Sequence, residues 1–84
     1  SMDENELNDI YIFPNPSNGV FTVSSPEVAE YKIEVINVLG ELISTSVVHG
    51  MLNEKFNMSD FNSGLYFVKV SNGVNENTQR IIIK

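Results

Sequence analysis

Two stretches constrain this chain more than any other: Ser63-Gly64-Leu65-Tyr66-Phe67-Val68-Lys69-Val70 and the ending Arg80-Ile81-Ile82-Ile83-Lys84. The first is a glycine turn followed by strict alternation. Tyr66, Val68 and Val70 share one face, and Phe67 and Lys69 share the other. Period-two patterning describes a half-buried strand and argues against an amphipathic helix. Asn72-Gly73 then supplies a hairpin turn. Beyond it Ile81 and Ile83 are expected inward, with Arg80, Ile82 and Lys84 outward. Chain ends fray unless something ties them down, so a strand running to Lys84 is expected to be ordered for a purpose.

Turn signals recur at the spacing of an all-β sandwich or barrel, and no segment carries an apolar stripe at helical period. The chain reads as seven strands: Ile10–Phe13, Val20–Ser24, Tyr31–Val38, Glu41–Val48, Asn53–Met58, Leu65–Ser71 and Glu76–Lys84. The expected architecture is a seven-stranded antiparallel Ig-like β-sandwich. Pro14-Asn15-Pro16-Ser17-Asn18-Gly19 must turn sharply. Each proline removes a donor and pushes its predecessor toward extended geometry, Asn15 can close an Asx-turn, and Gly19 can take a positive φ. In the Asn37-Val38-Leu39-Gly40-Glu41 hairpin, Gly40 is the candidate for the left-handed position. His49-Gly50 is expected to end the fourth strand, and Phe61 to plug one end of the sandwich.

With 84 residues the chain makes one domain. Residues 1–9 read as a cloning scar (Ser1-Met2) and a linker to an upstream cargo, leaving 10–84 as the folded unit. The net charge of -6 argues against nucleic acid, which needs a basic stripe. No apolar run approaches the ~20 residues that span a bilayer, so direct membrane insertion is not expected. The absence of cysteine excludes disulfides, thiolate catalysis and Cys-type zinc sites.

Catalysis leaves a constellation of residues, and none is visible. His49 is the sole histidine, with no nucleophile and orienting acid at a recognisable spacing. No phosphate cradle or HExxH pattern is present. An enzyme is therefore not expected, and no cofactor is called for. Asp60, Asn62, Asn72, Asn75, Glu76 and Asn77 could offer oxygen ligands to calcium, but Asn and Asp populate turns in their own right, and no dense acidic loop is present; no metal site is assigned. Asn57-Met58-Ser59 matches a glycosylation pattern, though Asn57 falls in a strand. Tyr11, Phe13 and Phe67 are the candidates for a sugar-binding platform, and core or end packing is expected for at least two of them.

Pro14-Asn15-Pro16-x-x-Gly19, Ile36-Asn37-x-x-Gly40-Glu41, Phe61-x-x-Gly64-x-Tyr66-Phe67-Val68-x-Val70 and the final Arg80-Ile81-Ile82-Ile83-Lys84 resemble, in order and near the usual spacing, the type A C-terminal sorting domain of the type IX (Por) secretion system of Bacteroidetes. The resemblance covers Ile10 to Lys84. It implies a folded secretion signal that directs an upstream cargo from the periplasm across the outer membrane to the cell surface. The implied partners are the outer-membrane translocon with its shuttle protein and a sortase-like C-terminal signal peptidase that cuts upstream of the domain. One departure stands out: Arg80 is single where many relatives carry adjacent basic residues.

Beside the resemblance stands a physical expectation. An unpaired sheet edge can accept a receptor strand, with alternate side chains giving specificity. The last strand is expected on such an edge, with Phe67, Lys69, Arg80, Ile82 and Lys84 facing the receptor. Pro14, Asn15, Pro16, Gly19, Asn37, Gly40 and Gly64 are expected to shape turns, and Tyr66, Val68, Val70, Ile81 and Ile83 to fill the core. Edge strands also make a homodimer plausible. The alternatives are an Ig- or fibronectin-like carbohydrate-binding or adhesive module, or a passive spacer.

Overall fold

The structure, a computed structural model, describes residues 9–84; of the expected lead segment only Asp9 falls within them. Those residues form five antiparallel strands in one curled sheet: β1 (Tyr11–Phe13), β2 (Val20–Asn37), β3 (Leu42–Asn57), β4 (Gly64–Ser71) and β5 (Glu76–Ile83). β2 is central. β3 runs along one of its edges, while β1 and then β4 share the other, and β5 pairs with β4.

Five strands replace the expected seven because two turn signals act as bends within continuous strands. At Ser25-Pro26-Glu27-Val28 the register steps from Ser25↔Leu52 to Val28↔Met51, three steps along β2 against one along β3. The two extra residues form a bulge, which is where a strand tolerates a proline. An even insertion preserves the pleat. Phe21, Val23 and Ser25 before the bulge, and Tyr31, Ile33 and Val35 after it, are all buried.

Opposite the bulge, Gly50 takes φ +106°, and β3 continues through it instead of ending at His49-Gly50. The strand folds sharply there. Ser46 Oγ donates to Glu54 Oε2 at 3.0 Å, although eight residues of straight strand would span roughly 26 Å. Tyr31 closes the matching bend in β2, its hydroxyl donating to the Glu27 carbonyl at 2.7 Å and sharing a hydrogen bond with the Ser25 hydroxyl at 3.1 Å.

Bending brings the inward faces together into one core. Phe21 and Phe56, register partners on β2 and β3, stack with ring centroids 5.4 Å apart. Leu52, Met58, Tyr66, Val68, Val70, Ile81 and Ile83 join them. Phe61 does not plug the fold. It is exposed, and Met58 is the buried residue there, its N–H donating to the Gly19 carbonyl at 2.6 Å.

Candidate functional site

The Pro14–Gly19 loop explains why the last strand is ordered. Both X–Pro bonds in it are cis, and the loop runs alongside β5. Asn15 Nδ2 donates to the Arg80 carbonyl at 3.0 Å, and Asn15 Oδ1 accepts from the Ile82 N–H at 3.1 Å. Ser17 continues the pairing: its N–H donates to the Ile82 carbonyl and its carbonyl accepts from the Lys84 N–H, both at 2.8 Å. Ser17 is itself buried, its hydroxyl donating to the Val20 carbonyl and accepting from the Gly19 N–H.

Gly19 ends the loop where the backbone passes close to Ser59, just after β3. Its φ is +119°, and a Cβ would lie 3.0 Å from Ser59 Cα. Further along β5, Gln79 Nε2 donates to the Ile10 carbonyl at 3.0 Å.

These contacts correct the expected mechanism. From Arg80 to Lys84 the outer edge of β5 is occupied by Asn15 and Ser17, so it is not an open edge awaiting a receptor strand. What β5 offers is its outer face. Ile82 is 49% exposed between Ile81 at 0% and Ile83 at 3%. The β4–β5 register sets Leu65 opposite Ile82, Phe67 opposite Arg80 and Lys69 opposite Thr78. Directly opposed side chains in an antiparallel pair lie about 5 Å apart at Cβ. Leu65, Phe67, Arg80 and Ile82 are thus neighbours on one face.

Lys69 shares that face but is held at 3.5 Å by Glu76. Lys84 lies beyond the end of β5. Among the described residues neither Arg80 nor Lys84 has a carboxylate partner within ion-pair distance. Beside the apolar pair, Asn15, Leu65, Gln79, Arg80 and Ile82 line an open groove of about 430 Å³. Leu65, Ser17 and Gln79 were missed by the sequence reading. Leu65 falls next to a turn glycine, Ser17 looks like any turn serine, and Gln79 has no pattern to mark it.

The core side of the motif is as tightly fixed. Tyr66 is buried, its hydroxyl donating to the Asn62 carbonyl at 2.7 Å, the backward tyrosine bond common at corners of β-sandwiches. Val68, Val70, Ile81 and Ile83 are buried around it. The Asn37 side-chain oxygen accepts from the N–H groups of Leu39 and Glu41, with Gly40 at φ +84° between them. Asn72 Oδ1 likewise accepts from the N–H groups of Val74 and Asn75. Among the described residues no group of three His, Asp or Glu side chains is placed to hold a metal ion.

Tyr11 and Phe13 do not pack into the core or an end as expected. They are 55% and 52% exposed on the outer face of β1. A strand of three residues at the sheet margin is too short to bury both faces, and the inward positions go to Ile12 and to Ile10 just before the strand.

Residues 11–84 match the family described as the secretion system C-terminal sorting domain. The chain belongs to that family. A sorting domain of this type is a C-terminal signal for type IX secretion, leading to export to the cell surface or the extracellular space, and it is not itself a catalyst. Two curated relatives are similar throughout this chain. The ulvan lyase NLR42 of Nonlabens ulvanivorans is 28% identical over 83 residues, covering 99% of this chain and 16% of the relative. An endo-acting ulvan lyase of Formosa agariphila is 29% identical over 87 residues, covering 100% and 17%. The sorting domain therefore spans about one-sixth of the length of these relatives.

Proposed function

We propose that the secretion machinery reads this sorting domain as a folded object, through the outer face of β4 and β5. Phe67, Arg80 and Ile82 form the centre of the receptor-facing patch, with Leu65 beside them and Lys69 and Lys84 at its margins. The supporting observation is the exposure of Ile82 between two fully packed isoleucines, on a strand whose backbone edge is already bonded to Asn15 and Ser17. A side-chain surface remains for a receptor to bind. Arg80 and Lys84, without a carboxylate partner among the described residues, stand out in a chain of net charge -6, and they complement an apolar pocket with an acidic rim.

On this reading the translocon and its shuttle protein bind the patch in the periplasm, the cargo crosses with the domain, and a sortase-like peptidase cuts upstream at the surface. The cargo is an extracellular enzyme, in keeping with the ulvan lyases that carry a matching segment. The test is a transplant: residues 10–84 fused to a periplasmic reporter in a host with this machinery. The reporter should reach the surface with the native patch and stay in the periplasm with Ile82→Asp.

A second reading has an observation of its own. Tyr11 and Phe13 share the outer face with Ser24 and Thr22 on β2, and then Asn53 and Lys55 on β3. Exposed aromatics beside hydrogen-bonding side chains suit a sugar ring. Binding of the domain to a glycan array, lost in Tyr11→Ala, would support a carbohydrate-binding role.

A further inference from the structure

Gln79 serves two places at once. Its side chain helps line the groove beside Arg80 and Ile82, and its Nε2 donates to the Ile10 carbonyl at 3.0 Å. The chain therefore comes into the fold at the margin of that groove. Ile10 is buried, so this entry point is fixed. Just before it the sequence reads Asp3-Glu4-Asn5-Glu6-Leu7-Asn8-Asp9, which holds four of the eleven acidic residues and none of the five basic ones. Residues 3–8 precede the described residues.

We propose that this acidic lead segment is the occupant of the β5 groove in the free protein, with Glu6 paired to Arg80 and Leu7 covering Leu65 and Ile82. Three observations select it. The first is reach: Glu6 stands four residues from Ile10, up to about 13 Å of chain, and Arg80 directly follows Gln79. The second is charge. Arg80 has no carboxylate partner among the described residues, whereas Lys69 beside it is held by Glu76. A guanidinium is the side chain best shaped to bind a carboxylate through two parallel bonds.

The third observation is the tether itself. An exposed ion pair is worth little alone, and a separate acidic protein would have to supply the rest of its binding energy. A segment joined to the groove's margin by a few residues is present at an effective concentration of order mM. Modest complementarity then suffices, with Leu7 taking the exposed Ile82 side chain out of water. Any receptor for this face must displace the segment. The proposal does not rest on the sorting reading, because it concerns the chain with no receptor present.

The chain has no cysteine, so Asn5→Cys accepts a single nitroxide label. Paramagnetic broadening should be stronger at the Ile82 and Leu65 methyl groups than at Val47, which lies on β3, three strands from β5. Arg80→Gln and Glu6→Gln should each cut the Ile82 broadening about twofold or more, the weight of one exposed ion pair, without a change in melting temperature. Salt at ~1 M, where the screening length falls to about 3 Å, should act in the same direction. With the nitroxide on one copy and the isotope label on another, Ile82 should stay sharp. Broadening at Ile82 that ignores both substitutions would overturn the proposal, as would broadening no greater than at Val47. Broadening in the mixed sample would overturn it in favour of a second copy. Each of these results leaves the export test of Ile82 unaffected.

Discussion

Asn15 and Ile82, sixty-seven residues apart in sequence, are joined by a hydrogen bond of 3.1 Å from the Ile82 N–H to the Asn15 side-chain oxygen. The opposite end of the same carboxamide holds the Arg80 carbonyl. One side chain near the beginning of the fold thereby substitutes for a neighbouring strand at its end. The final residues are ordered because the edge of their strand is satisfied.

Asn15→Ala removes both bonds. The expected cost is about 1–3 kcal/mol of stability, from two solvent-exposed hydrogen bonds at about 0.5–1.5 kcal/mol each. Hydrogen exchange locates the effect: protection of the Ile82 amide should fall sharply, while that of Val68 in β4 follows only the global change. Asn15→Asp should cost a similar amount, because a carboxylate keeps the acceptor for Ile82 but faces the Arg80 carbonyl without a proton to give.

Gly19→Ala meets two obstacles, the positive φ and the Ser59 backbone at 3.0 Å. Gly50→Ala meets only the first, since nothing lies within 4 Å of its missing Cβ. A left-handed conformation costs an L-residue roughly 1–2 kcal/mol. Denaturant melts should therefore show Gly19→Ala as the more destabilised variant, with Gly50→Ala near that figure.

Tyr31→Phe strips the hydroxyl that closes the β2 bend and leaves the buried Ser25 hydroxyl and the Glu27 carbonyl without their Tyr31 partner. A loss of about 1–3 kcal/mol in thermal or urea unfolding is expected, and Ser25→Ala in the Tyr31→Phe background should recover part of it.

The alternation of Leu65–Val70 and Arg80–Ile83 was plain in the sequence, and so were the turns at Asn37–Glu41 and Asn72–Gly73, because period-two burial and Asx chemistry are local. The bends were not. Ser25-Pro26-Glu27 and His49-Gly50 carry the composition of turns, and only the facing strand decides whether the chain reverses or kinks and continues. The same limit hid the sealing of β5. Asn15 was visible as a turn residue, but its partners lie at the far end of the chain, and nothing local to Arg80-Ile81-Ile82-Ile83-Lys84 says that its backbone edge is already in use. Exposure of Tyr11 and Phe13 was misread for a related reason: an aromatic on a marginal strand looks like core until the width of the sheet is known.

Ile82 separates folding from recognition more sharply than any other residue. Paired measurements of melting temperature and reporter export should be made for Ile81→Ala and Ile82→Ala. Ile81→Ala should lose about 2–5 kcal/mol, as buried isoleucines do, and export should fall as far as unfolding dictates. Ile82→Ala should keep nearly the parent melting temperature while cargo accumulates in the periplasm. Normal export of Ile82→Ala, or a loss of export no greater than its loss of stability, would contradict a recognition patch on the outer face of β5.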